Sequence, residues 1–211
     1  MSYALDPAIL KVMAAYEERA ARELQLMLRS PAEFSANIED YLICIGPEAG
    51  QLLHLLTVSS KAQCIVELGA SYGYSTIWLA DAARRTGGKV HSLELSEKKV
   101  AYAGEQLRGL GLEGYVQFHV GDARESLTKL PAPIDFVLID LWKDLYCPCF
   151  ELLHPKLAPG ALVAADNMTF PPSARADAHA YQQLVRTKTD MDTLLLPVGN
   201  GIELSRKWPA S

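Results

Sequence analysis

The chain has four cysteines in 211 residues: Cys44, Cys64, Cys147 and Cys149. They are too few and too unevenly spaced for a disulfide framework or a zinc site. Cys147-Pro148-Cys149 has the outline of a redox pair, but packed thiols in a reducing compartment are the simpler reading. No apolar run approaches the roughly 20 residues a membrane helix needs, so no membrane partner is expected. No run of Lys and Arg stands out and the net charge is −5, which gives nucleic acid no broad electrostatic footing. The opening stretch, MSYALDPAILKVMAAYEERAAREL, is charged and amphipathic and lacks the basic and apolar regions of a signal peptide, so a cytoplasmic location is expected. No internal repeat, low-complexity segment or linker interrupts the chain.

About half of the residues are apolar (49%), enough for one domain with a substantial core. The expectation is a single domain over 1–211 with an N-terminal helical extension of about 1–45. Residues 1 to about 30 read as helix, broken at Ser30-Pro31, and a second helix opens at Pro47. Apolar runs then alternate with helical patterns. Strands are expected at 64–68, 89–95, 116–121, 134–140 and 160–166, with helices in YSTIWLADAARR, SEKKVAYAGEQLRGLG, ARESLTKL and LYCPCFELLHPKL. Repeated β-α units imply an α/β fold, a mostly parallel sheet with helices on both faces. Two extended runs joined at Gly199-Asn200-Gly201 add a C-terminal hairpin, so the sheet should end in an antiparallel edge strand.

In such sheets ligands bind beyond the carboxyl ends of the strands. Those ends carry Glu67, Glu94, Asp122, Asp140 and Asp166. One acid at a strand end is often a helix cap. Five around one crevice repel one another unless a cation or a hydrogen-bonded ligand is present. The stretch CIVELGASYGYSTIWLA, Cys64 to Ala80, has three readings. A dinucleotide loop needs three glycines in G-x-G-x-x-G, and this turn has only Gly69 and Gly73. Glu67 just before the turn repels a pyrophosphate and suits a cofactor that carries an ammonium and a sulfonium. Glu94, 21 residues after Gly73, is placed to accept both ribose hydroxyls of a nucleoside over the turn. As a nucleophile elbow, Gly69-Ala70-Ser71-Tyr72-Gly73 needs a later histidine, and His154 and His179 are the only candidates. A nicotinamide-dependent oxidoreductase and a serine hydrolase using Ser71 therefore stand as alternatives to a methyltransferase.

IDLWKD (139–144) followed by ADN (165–167), together with ELGASYGYS, resembles the metal-dependent, S-adenosylmethionine-dependent O-methyltransferases that include the catechol and caffeoyl-CoA enzymes. The resemblance runs from about Gly46 to Arg206. It implies a Rossmann-like class I methyltransferase with a seven-stranded sheet. It also implies S-adenosylmethionine as cofactor, with Mg²⁺ or another divalent cation such as Ca²⁺ or Mn²⁺, and a phenolic small molecule as methyl acceptor. The metal ligands implied are Asp140, Asp166 and Asn167, and the catalytic base is Lys143. Ile45, Glu67, Gly69, Ser71, Ser75, Glu94, Asp122, Ala123, Asp140 and Trp142 fall at the cofactor. Lys143, Asn167 and Glu203 fall at the substrate, Glu203 by matching a glutamate that contacts the second hydroxyl of a catechol. Leu141 departs from the histidine of the catechol enzyme, and GASYG from the commoner threonine-bearing loop. The N-terminal helix, placed at Ala4 to Arg29 with an apolar stripe, implies a homodimer, as in many members of the resembled family.

Overall fold

The computed structural model of the chain describes residues 5–209. The start expected for the N-terminal helix, Ala4, lies outside the described residues; α1 runs over Pro7–Arg29. Asp6 caps α1 by accepting from the Ala8 amide at 2.8 Å, and Pro7 stands at the first helical position. Ser30 closes it. The chain does not stay broken at Pro31 but starts a short α2, Pro31–Ala36, since proline suits a first turn. After a 3₁₀ turn at Ile38–Asp40 comes α3, Pro47–Ser59.

The alternating part follows: β1 Cys64–Leu68, α4 Tyr74–Thr86, β2 Lys89–Glu94, α5 Glu97–Gly109, β3 Val116–Val120, α6 Ala123–Lys129, β4 Ile134–Ile139, α7 Tyr146–Leu153, β5 Leu157–Ala165, α8 Arg175–Arg186, β6 Met191–Leu196 and β7 Ile202–Lys207. The expected strands are present. β5 starts three residues earlier than the apolar pattern suggests, with a register irregularity against β4.

The sheet has seven strands in the order β3-β2-β1-β4-β5-β7-β6. β1 to β5 are parallel, and β7 lies antiparallel between β5 and β6. The expected antiparallel edge strand is therefore β6, while β7, the strand of Glu203, is interior. The chain order reverses between β1 and β4, so the crevice of a doubly wound sheet opens beyond their carboxyl ends.

One face of the sheet packs against α1, α3, α4 and α5, through Met13, Tyr16, Leu53, Ile77 and Leu107. The other packs against α6, α7 and α8, through Leu127, Phe150 and Tyr181. α4 is buried from Tyr74 to Ala83 because α3 covers the side that the sheet leaves open.

Candidate active site

The turn after β1 is bent over β2. The Gly69 and Ala70 amides both donate to the Leu93 carbonyl, at 2.9 and 3.2 Å. Gly69 has φ +94°, and a Cβ there would lie 2.0 Å from the Asp140 carbonyl oxygen, so only glycine lets the β1 and β4 ends meet. Ser71 also takes a left-handed conformation, φ +46°, which aims its amide at Glu94 Oε2 at 2.8 Å. The Ser96 amide donates to the other oxygen at 2.9 Å. Two backbone donors thus orient the half-buried Glu94 carboxylate and leave lone pairs on both oxygens. The Ser71 hydroxyl donates to the Leu42 carbonyl at 3.2 Å and draws the segment before Ile45 to the turn. Ile45 is buried. Leu95 and Trp142 are exposed apolar side chains just past the ends of β2 and β4, on either side of β1.

Beneath the turn the Glu67 side chain is fully enclosed. Its Oε2 accepts from Thr76 Oγ1 at 2.7 Å and Ser92 Oγ at 2.5 Å, and the buried Ser75 hydroxyl faces it as well. Its Oε1 is buried without a protein partner, and the carboxyl lies beneath the turn. Burial pushes its pKa up to about 7 despite the hydroxyl donors. Asp122 stands half-buried just past the end of β3. It caps α6, accepting from the Arg124 amide at 2.7 Å and pairing with the Arg124 side chain at 2.6 Å, which holds its carboxyl down at about 2. Ala123 follows it, half-buried.

The ends of β4 and β5 bring Asp140 and Asp166 together. The Asp166 amide donates to the Ile139 carbonyl at 3.0 Å. Its side chain is 1% exposed, and neither carboxylate oxygen meets a donor at hydrogen-bonding geometry. Burial and the neighbouring Asp140 raise its pKa; burial raises that of Asp140, with Lys143 opposing. Asn167 has φ +54°, a conformation asparagine tolerates, and sits half-buried beside this pair. The next residues are pinned to the hairpin: the Met168 amide donates to Gly201 and the Thr169 amide to Asn200, both at 2.9 Å. Among the described residues no group of three or more His, Cys, Asp or Glu is arranged for a metal. The donor set here is two carboxylates and an amide, all hard oxygens.

Lys143 opens the turn after Trp142. Its ammonium donates to the Tyr146 hydroxyl and lies 3.9 Å from the Tyr146 ring centroid. Burial lowers its pKa, against the pull of Asp140 and Asp166. The Tyr146 hydroxyl in turn donates to the Asp166 carbonyl at 3.1 Å, tying the lysine to the β5 end. Sequence reasoning missed Tyr146; its position three residues after Lys143, at the start of an apolar helix, was the available signal.

Glu203 is not part of this set. It faces Ala165 across the β5–β7 pair, is fully buried, and accepts from Gln182 at 2.7 Å and Thr193 at 2.8 Å, with Arg186 at 3.6 Å. It stands on an interior strand rather than at the sheet edge, and α8 supplies its Gln182 partner. Nor is a hydrolase assembled: Ser71 bonds to Leu42, His154 pairs with Asp190 at 2.8 Å, and His179 lies by Gln183.

Residues 66–168 match the family described as "Methyltransferase domain". The chain is 35% identical over 130 residues to a catechol O-methyltransferase of Niastella koreensis, covering 60% of this chain and 58% of that one. It is 31% identical over 144 residues to the human transmembrane O-methyltransferase, covering 64% and 49%. The matched part thus spans roughly half the length of these two curated relatives. The crystal structure of the O-methyltransferase TomG from Streptomyces achromogenes, in complex with SAM, superposes over 99% of this chain and 93% of that one, with TM-score 0.77 and 26% identity. The structure of an O-methyltransferase from Bacillus cereus with SAH shares the fold over 98% of this chain and 93% of that one at 24% identity, TM-score 0.73. The resemblance to the catechol and caffeoyl-CoA O-methyltransferases is borne out, as is the Rossmann-like sheet. No helix among the described residues is long and apolar enough to cross a membrane.

The raised Glu67 carboxyl has a thermodynamic consequence. The folded protein holds a proton there that the unfolded chain has lost above its ordinary pKa of 4.5. Stability of the ligand-free protein is therefore expected to fall as pH rises from about 4.5 through 7, since the folded state binds more protons. Glu67→Gln should make that fall shallower. Urea midpoints at pH 5 and pH 8 read it, and identical pH dependence in both proteins would show that Glu67 does not titrate this way.

Proposed function

We propose that this chain transfers the methyl group of S-adenosylmethionine to a hydroxyl of a vicinal diphenol, with a divalent cation held by Asp140, Asp166 and Asn167. The observation that carries the reading is the Asp166 carboxylate, buried and without a donor beside Asp140, at a sheet crevice whose neighbouring turn has the form of a nucleoside cradle. Two such carboxylates destabilise each other until a cation sits between them. Hard oxygens suit Mg²⁺, with Ca²⁺ and Mn²⁺ as alternatives, and leave coordination positions for two substrate oxygens. Bound there, the cation would supply positive charge that lowers the pKa of an adjoining hydroxyl.

The remaining work falls to side chains of this chain. Glu94, oriented by the Ser71 and Ser96 amides, accepts the ribose hydroxyls. The Gly69 backbone, Ser71 and Ser75 line the methionine end, and Ile45, Ala123 and the exposed Trp142 wall the nucleoside. Lys143, its pKa lowered by burial, takes the phenolic proton, and Tyr146 holds its ammonium toward the β5 end. Holding acceptor oxygen and methyl carbon in line can supply roughly 7–11 kcal/mol of the barrier. Titration with S-adenosylhomocysteine against NADH separates this reading from an oxidoreductase. Methyl transfer over a panel of catechols and simple phenols, with and without Mg²⁺, tests the acceptor.

Stripping with EDTA should stop turnover, and Asp166→Ala should lower it by at least about 100-fold, the several kcal/mol of a lost Lewis acid. The melting temperature should not drop, because the mutation removes a repelling buried charge. Full turnover of metal-stripped protein would sink the metal assignment. Lys143→Met should lower kcat by about 10²–10⁴-fold and leave S-adenosylhomocysteine affinity unchanged by calorimetry; a wild-type kcat at neutral pH would exclude Lys143 as the base. The exposed Leu10, Leu24 and Leu28 on α1 support a homodimer through that helix. Light scattering at micromolar concentration should give a dimeric mass, and a monomeric mass would count against it.

A further inference from the structure

α1 lies outside the residues that match the methyltransferase family, yet its inner face is built into the cofactor turn. The buried Tyr16 hydroxyl donates to the Tyr72 carbonyl at 2.6 Å, across 56 positions of sequence. Its ring packs against Tyr74 at 5.8 Å and Tyr102 at 6.2 Å, and Tyr102 meets Tyr72 edge-on at 5.4 Å. One turn further along α1, the Arg19 guanidinium lies 4.4 Å over the Tyr72 ring. Tyr72 sits between Ser71, whose amide orients Glu94, and Gly73, which starts α4.

The same helix grips the other wall of the crevice. Arg19 donates to the Asp40 carbonyl at 2.8 Å and to Glu23 at 2.6 Å, and Glu23 accepts from the Leu42 amide at 2.7 Å. The Leu42 carbonyl takes the Ser71 hydroxyl, which closes a ring of contacts through α1, the segment before Ile45 and the turn. Ser71 is held in a left-handed conformation within that ring. A non-glycine residue keeps such a conformation only where its surroundings over-determine it.

We propose that Tyr16 and Arg19 are positioning residues for the cofactor. α1 holds the turn 69–73 and the segment 40–45 in the geometry that binds, and its loss weakens cofactor binding without changing the chemical step. The inference rests on the cofactor reading above. Without the Tyr16 hydroxyl the binding-competent arrangement becomes a fraction of the population, and the apparent dissociation constant rises by the inverse of that fraction. One buried hydrogen bond corresponds to roughly a tenfold effect.

Calorimetric titration of the purified full chain with S-adenosylhomocysteine tests this on Tyr16→Phe, Arg19→Gln and a control, Val185→Ala. Val185 is buried on the opposite face of the sheet. Tyr16→Phe should raise the dissociation constant roughly tenfold and the KM for S-adenosylmethionine in parallel, with kcat at saturation unchanged. Arg19→Gln should follow in the same direction, and it carries the test if Tyr16→Phe does not fold. Val185→Ala should lose thermal stability and keep wild-type affinity. Wild-type affinity in both α1 variants overturns the proposal, and so does an equal loss in Val185→Ala, which would make the effect general loosening. A wild-type protein that binds no S-adenosylhomocysteine would instead remove the cofactor reading, and the proposal with it.

Discussion

The Asp140 carbonyl occupies space that any side chain at position 69 would need. That close approach sets the rest of the site. β1 and β4 are neighbours where the sheet reverses its order, and at their ends the backbones converge only because residue 69 has no Cβ and accepts a positive φ. The turn that orients Glu94 and the turn that carries Asp140, Trp142 and Lys143 are thereby fixed against one another. A cofactor cradle and a catalytic turn need such a joint, because transfer chemistry tolerates little error in the separation of its reacting atoms.

Buried acids at this joint are treated in two ways. Glu67, under the turn, is given the hydroxyls of Thr76 and Ser92, so its cost is reduced by the protein itself. Asp166 meets no donor at hydrogen-bonding geometry, and Asp140 pushes against it while the nearby Asn167 amide and Lys143 only partly offset this. The two acids differ in how much of the carboxylate the protein satisfies: one oxygen of Glu67 and neither of Asp166.

The aromatic and ionic contacts of α1 tie the turn after β1 to a helix outside residues 66–168. Tyr16 and Arg19 reach Tyr72 directly, and Glu23 reaches the same turn through Arg19 and through Leu42 and Ser71. Exposed ion pairs such as Lys98 with Asp40 add little to this grip, being screened by solvent. The buried tyrosine bond and the guanidinium stacked on the ring carry it.

Periodicity and punctuation alone determined the strands β1 to β4, the helices between them, the hairpin and the glycine turn with acids at strand ends. Those signals are local: alternation, caps such as Asp122 and glycines at turns depend on residues near in sequence. Local pattern could not say which strand forms the sheet edge, and so Glu203 was placed on an open edge when β7 lies inside the sheet. Nor could it say that Glu67 is bonded through one oxygen to buried hydroxyls and Asp122 to a helix cap, while neither Asp166 oxygen meets a donor at hydrogen-bonding geometry. Tyr16 and Tyr146 were invisible as site residues because each acts on a carbonyl far along the chain, 56 and 20 positions away. Chemical type and strand-end position were written in the sequence. Which groups end up enclosed, paired or left without a partner was decided only by tertiary packing, because burial and hydrogen-bond satisfaction are properties of neighbours that the order of residues does not bring together.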